Sequence, residues 1–314
     1  MNKNFVKNNN LVGNLYYPEK QIDKLPAIIL ISGSDGGMPG ANAIPESFIE
    51  NLVSNNFVVL ALAYFGVDRL PKYLENIDLE YFENAFCWLN SQPQVKTDSI
   101  GIIGQSRGGE LALMLGTLFP DNFKAIISYV LCSMVCGGFP HPNRPAWIYR
   151  GEAISPYLGG VSNTDINLTE LNDLINTTKE GIITPHKNTQ EDPIILAELF
   201  KVRNKQINHE LTEIPVETIK CPLLLFSGGQ DDLWPCEYYC QMVINRLNIH
   251  NSSIFRKHIN YKDAGHGIFA SRDGGIYHPF GEFWCKLGGT LEGNEIAKKE
   301  SNIELLNFLT ANLT

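Results

Sequence analysis

Apolar residues fall into two spacings along this chain, and the two alternate. Pro26-Ala27-Ile28-Ile29-Leu30-Ile31, Phe57 to Leu62, Ser99 to Gly104, Lys124 to Val130, Cys221 to Phe226 and His258 to Tyr261 form short runs. Most are apolar throughout, the pattern of strands buried on both faces. Leu11 to Tyr17, closed by Pro18, is a further strand ahead of them. Between the runs lie segments with apolar residues at helical spacing: Ser47 to Asn55, Leu79 to Asn90, the stretch from Arg107 through Leu115, Glu237 to Leu247, and Glu295 to Leu313. The alternation predicts an α/β fold, a mostly parallel sheet with helices on both faces.

From Gly137 to Glu213 the pattern fades. The segment is richer in Pro, Asn and Thr, with weak helical spacing only around Leu168 to Ile175 and Pro193 to Val202. A structureless loop of that length does not suit a compact domain, so an inserted cap over a functional edge is expected. The predicted organisation is a core built from residues 1–136 and 214–314, interrupted by a cap at 137–213. No internal repeat is visible.

Composition narrows the function classes. Hydrophobic residues make up 44% of the 314 and charged residues 19%, enough for a large core. A formal net charge of −9, with no basic stripe, argues against a nucleic-acid partner. Met1 to Asn10 carries lysines but no apolar segment behind them of signal or membrane length, so a cytoplasmic protein with no membrane partner is expected. The seven cysteines are odd in number and spread from Cys87 to Cys285, unlike a disulfide framework. Cys132/Cys136 and Cys236/Cys240 share a C-x3-C spacing, but neither pair has nearby ligands to complete a metal site. They read as small buried hydrophobes, and no cofactor or metal is expected.

The chemistry centres on Ser99-Ile100-Gly101-Ile102-Ile103-Gly104-Gln105-Ser106-Arg107-Gly108-Gly109-Glu110, a strand that ends in Gly-x-Ser-x-Gly and runs straight into a helix. A turn this sharp forces its central residue into a strained conformation and needs almost no side chain two positions away on either side, which Gly104 and Gly108 supply. Such a short pattern also arises by chance. What sets this one apart is that partners follow in the required order, Ser106, then Asp231, then His266, each just past a predicted strand end. His266 lies in a small-residue loop between Gly265 and Gly267. The acid is open between the neighbours Asp231 and Asp232; the Gly-x-x-Asp turn of Gly228 to Asp231 favours Asp231. Ser32-Gly33-Ser34-Asp35-Gly36-Gly37, after the second strand, offers backbone N–H groups either to phosphate or to an oxyanion. It lacks the Lys-Ser/Thr ending of a phosphate loop, so the expected oxyanion donors are the Ser34 region and the Arg107 amide. The Arg107 side chain either contacts substrate or runs along the helix with only its amide at work. Glu110 is expected in a buried structural hydrogen bond.

The stretches Gly-Ile-Ile-Gly-Gln-Ser-Arg-Gly-Gly-Glu-Leu-Ala-Leu, Ala146 to Glu152, Phe-Ser-Gly-Gly-Gln-Asp-Asp-Leu-Trp-Pro, Tyr-Lys-Asp-Ala-Gly-His and Gly288-Gly289-Thr290 together resemble the carboxyl-terminal hydrolase domain of acyl-CoA thioesterases and bile acid-CoA:amino acid N-acyltransferases. The resemblance implies an α/β-hydrolase fold, a triad on Ser106, Asp231 and His266, and hydrolysis of acyl-CoA to free acid and CoA. Animal members carry an amino-terminal β-sandwich domain, for which this chain offers one short strand. The transferase branch uses Cys as nucleophile, so Ser106 implies hydrolysis of a small-molecule thioester or ester rather than amino-acid conjugation. In the expected cap, Arg144, Arg150, Lys187, Lys201, Arg203 and Lys205 are either candidates for a rim that holds the CoA phosphates or scattered solubilising charges.

Overall fold

Val58-Val59-Leu60-Ala61-Leu62-Ala63 is buried at every position, and so is Ala27 to Ile31. Strands with no solvent face must be covered on both sides, and that requirement sets the architecture. The chain is described by a computed structural model covering residues 1–6, 11–20, 23–41, 44–142, 144–154, 189–191, 193, 195–206, 208–269, 275–280 and 283–314. In order, the elements are β1 (Asn2–Val6), β2 (Val12–Tyr17), β3 (Leu25–Ile31), α1 (Glu46–Ser54), β4 (Val58–Ala63), β5 (Ile77–Asp78), α2 (Glu80–Asn90), β6 (Val95–Gln105), α3 (Arg107–Leu118) and β7 (Ala125–Tyr129). After them come β8 (Trp147–Tyr149), β9 (Glu152–Ala153), α4 (Ala197–Gln206), β10 (Leu223–Gly228), α5 (Cys236–Ile249), β11 (Arg256–Tyr261), β12 (Tyr277–Phe280), β13 (Phe283–Lys286) and α6 (Leu291–Leu313).

Eight strands form one sheet in the order β1-β2-β4-β3-β6-β7-β10-β11. β1 and β2 are antiparallel to their neighbours and every later pairing is parallel. The two faces can be told apart by the strand period. Gly101 lies against Leu313 of α6, and its register partner Ala125 points the same way. Ile126, next along, therefore points to the opposite face, where it meets Gly116 of α3. This is the α/β-hydrolase fold, with a mostly parallel sheet between helices.

Three pieces have no counterpart in the sequence pattern, the small sheet β5-β8-β9 among them. β1 reads Asn-Lys-Asn-Phe-Val with three exposed positions, an edge strand whose partner-facing signal is a single buried Val6. The hairpin β12-β13 carries Tyr, His, Pro and Trp in short segments that show no clear period. The weak helix expected at Leu168 to Ile175 lies outside the described residues. That expected around Pro193 to Val202 appears as α4. Segment 144–154 packs into the body of the molecule: β8 pairs with β5, and Trp147 is fully buried. No helix among the described residues is long and apolar enough to cross a membrane.

Candidate active site

β6, β10 and β11 run parallel, so the residues that follow them emerge at one edge of the sheet. Ser106 follows β6 at the turn into α3, with φ 56° and ψ −119°. The turn closes so tightly that a Cβ on Gly104 would stand 2.0 Å from the Gly108 carbonyl oxygen, and one on Gly108 would stand 2.5 Å from that of Ser32. The strain is held in place from both sides: Ser106 N–H donates to the Tyr129 carbonyl at 2.9 Å, and the Ser106 carbonyl accepts from Gly109 and Glu110 N–H.

Asp231 and His266 meet. His266 Nδ1 is 2.7 Å from Asp231 Oδ2, with both side chains almost fully buried. The other carboxylate oxygen, Oδ1, accepts from the N–H groups of Leu233 and Trp234 at 2.8 and 3.1 Å. With both oxygens engaged, the carboxylate is held in one orientation. The Trp234 indole lies edge-on to the imidazole, 5.3 Å between centroids, and its Nε1 donates to the Val130 carbonyl at 2.9 Å. Among the described residues His266 Nε2 is buried with no hydrogen-bond partner. Asp232, the alternative acid, pairs with Lys286 of β13 at 2.9 Å.

The Gly288-Gly289 turn is wedged between the acid loop and the histidine loop. Gly289 N–H donates to the Gln230 carbonyl at 3.0 Å, His266 N–H to the Leu287 carbonyl at 2.7 Å, and Gly265 N–H to the buried Asn294 Oδ1 at 2.8 Å. A Cβ on Gly288, which has φ +80°, would lie 2.0 Å from the Gln230 carbonyl oxygen, so no larger residue fits there.

Gly33 lies so close to the elbow that a Cβ on it would be 3.0 Å from Ser106 Cβ and 3.5 Å from its Oγ. Ser34 is therefore on the chain segment beside Ser106, in a half-buried turn. The buried Tyr64 hydroxyl anchors this loop by donating to the Ser32 carbonyl at 2.8 Å. Arg107 is the first residue of α3, so its N–H has no acceptor within the helix.

The Arg107 side chain neither reaches solvent nor runs along the helix surface. It is buried, 2.7 Å from Glu110 Oε2, and donates to the carbonyls of Gly137 and Cys136 at 2.7 and 3.1 Å. Glu110 is fully buried and accepts from Cys136 N–H at 2.9 Å and from Trp147 Nε1–H at 2.8 Å. Burial works against both charges. At Glu110 it raises the carboxyl pKa against the pull of Arg107; at Arg107 burial is outweighed chiefly by the facing carboxylate, and the guanidinium stays protonated. A charge pair three residues apart, Arg107 and Glu110, opening an otherwise apolar helix was the available sequence signal for this arrangement.

Among the described residues no group of His, Cys, Asp or Glu is arranged to hold a metal ion. Cys132, Cys136, Cys236 and Cys240 are buried thiols, and burial pushes those of Cys136, Cys236 and Cys240 well up.

Residues 77–314 match the family model described as BAAT / Acyl-CoA thioester hydrolase C terminal. The chain is 30% identical over 260 residues to mitochondrial acyl-coenzyme A thioesterase 2 of Homo sapiens, an alignment covering 82% of this chain and 45% of that protein. It is also 30% identical over 246 residues to acyl-coenzyme A thioesterase 6 of Mus musculus, covering 78% of this chain and 49% of that one. The chain thus spans about half the length of the curated relatives it matches. Among solved structures, DcsB in complex with its substrate analogue superposes with a TM-score of 0.58 at 13% identity, covering 97% of this chain and 95% of that one. The Pyrococcus furiosus esterase Pf2001 does so at 0.55 and 14%, covering 100% and 94%. At these identities the two structures speak to the fold alone.

Proposed function

The chain belongs to the BAAT / acyl-CoA thioester hydrolase C-terminal family, and from that membership we propose that it is a serine hydrolase cleaving acyl thioesters, with acyl-CoA as the substrate class. One observation carries the mechanism. His266 has Nδ1 tied to Asp231 while Nε2, the nitrogen that must handle the proton, is buried without a partner among the described residues, at the sheet edge that also bears Ser106.

In this reading Ser106 Oγ attacks the thioester carbonyl carbon as His266 Nε2 takes its proton. Asp231 keeps the imidazole in the tautomer with the proton on Nδ1 and faces the imidazolium that forms. The carbonyl oxygen, now an oxyanion, accepts from the N–H groups of Arg107 and Ser34. Collapse expels the CoA thiolate, which leaves as the thiol with the proton from His266. Water then attacks the acyl-Ser106 ester with His266 as base, releasing the free acid. Of the cap expected at 137–213, the part around α4 keeps that role: Leu196 N–H, just before α4, and Ala197 N–H donate to the Asp232 carbonyl, and the Phe200 ring stands against Trp234.

A second reading, a carboxylesterase on oxygen esters, is favoured by one observation. Of the basic residues available for the phosphates of CoA, Arg144 is bound to Glu75 and Arg150 lies over the Tyr149 ring. Labelling with a fluorophosphonate probe, followed by turnover of acyl-CoA and p-nitrophenyl esters of graded chain length, separates the two. The proposal expects one labelled serine and a higher kcat/KM for acyl-CoA. A higher value for the oxygen ester of the same acyl group moves the assignment to the second reading.

A further inference from the structure

The site depends on two amides held at a fixed separation, one on the loop after β3 and one at the start of α3. A single buried layer touches both. Tyr64 holds the loop through the Ser32 carbonyl. Its ring lies 6.2 Å from that of Trp147, whose Nε1 donates to Glu110. Glu110 faces Arg107, whose guanidinium lies 5.6 Å from the Trp147 ring centroid and donates to the carbonyls of Cys136 and Gly137. Every side chain in the layer is at most 7% exposed.

Resting on the serine-hydrolase reading above, we infer that the Arg107–Glu110 pair, with Trp147 and Tyr64, is a positioning brace that fixes the oxyanion amides of Ser34 and Arg107 relative to Ser106. The side chains touch no reacting atom. They act by locking the first turn of α3 to the 132–137 segment on one side and, through Trp147 and Tyr64, to the Ser32–Ser34 loop on the other. A purely structural pair would not need to be ionic. Apolar residues of similar volume commonly replace a buried ion pair at little cost in stability, whereas removing one partner strands the other charge. What apolar residues cannot supply is the set of directed bonds to Cys136, Gly137 and Trp147.

The test is the double variant Arg107→Met/Glu110→Met, compared with wild type in Tm, in kcat and KM for an acyl-CoA, and in the rate of fluorophosphonate labelling at Ser106. The phosphonyl oxygen of that probe occupies the same hole as the oxyanion. The expected result is a folded protein with a lowered Tm, because Cys136 N–H, Trp147 Nε1–H and two carbonyls lose their partners. At a temperature well below that Tm, KM should stay within about threefold while kcat and labelling rate both fall by about 10- to 100-fold, the cost of a small misplacement of catalytic groups. Arg107→Lys, which keeps the charge but not the fork onto two carbonyls, should fall between. If the double variant does not fold, Trp147→Phe, which removes one donor from Glu110, serves with the same readouts and a smaller expected loss. A folded variant with wild-type kcat and labelling rate overturns the brace alone. A wild-type chain that is not labelled overturns the serine-hydrolase reading and the brace with it.

Discussion

Lys286 Nζ lies 2.9 Å from Asp232 Oδ2, while the adjacent carboxylate of Asp231 is bonded to His266 Nδ1 at 2.7 Å. Two neighbouring acids are thus divided between a half-exposed ion pair and a buried imidazole. Asp231→Asn should leave the fold intact and lower kcat by about 10⁴-fold, since an amide at that position favours the wrong imidazole tautomer. Asp232→Asn should cost less than about tenfold, because it removes only a half-exposed pair away from the imidazole. Steady-state kinetics of both variants decide the matter, and the reverse ranking moves the acid to Asp232.

The sequence favours Asp231 through the Gly-x-x-Asp turn of Gly228 to Asp231 but carries no sign of the lysine that pairs with Asp232 and lies far along the chain on β13. The sheet was readable, because its central strands are apolar on both faces and the elbow glycines of Gly104 to Gly108 tolerate few alternatives. Edge pieces escaped for the opposite reason: β1 has three exposed positions and makes its case only through backbone pairing with β2. The start of α6 escaped too. Thr290 Oγ1 accepts from Gly293 N–H at 2.9 Å and opens the helix a turn before its regular apolar spacing begins. Arg107 illustrates a third limit, since a long cationic side chain is normally surface-bound and only tertiary partners make it a buried one.

Substrate charge provides the next prediction. Lys201 and Lys205 are four residues apart on α4, hence on one face, and both are exposed. If this face meets the phosphates of CoA, KM for an acyl-CoA should rise with added salt, as screening sets in over about 10 Å at 0.1 M. Lys201→Gln/Lys205→Gln should mimic the salt effect. KM for a neutral ester of the same acyl group should stay constant in both experiments; parallel responses of the two substrates remove the phosphate-binding role.

Stability should carry its own pH signature. Glu217 receives hydrogen bonds from Arg246 at 2.5 and 2.7 Å, and this holds its carboxyl below the usual range. A carboxyl with a folded pKa below its unfolded value adds stability above the unfolded value and loses it as pH falls through the folded one. Glu217→Gln should therefore lower Tm at neutral pH, by an amount equivalent to about 1 kcal/mol or less because the pair is partly solvated. The difference should begin to shrink near the unfolded carboxylate value, about pH 4, and vanish only once the pH has fallen below the lower, folded value. Thermal denaturation of both proteins across that range is the check, and a gap that persists in acid assigns the effect to packing instead.

The most direct test of the central claim is intact-mass and peptide spectrometry of the protein quenched during turnover of a slowly deacylated acyl-CoA. An acyl-enzyme pathway through Ser106 predicts a mass increase equal to the acyl group, located on the peptide containing Ser106, and absent in Ser106→Ala, whose turnover should be nearly abolished. An adduct on another residue, or Ser106→Ala retaining half of the wild-type turnover, contradicts the account.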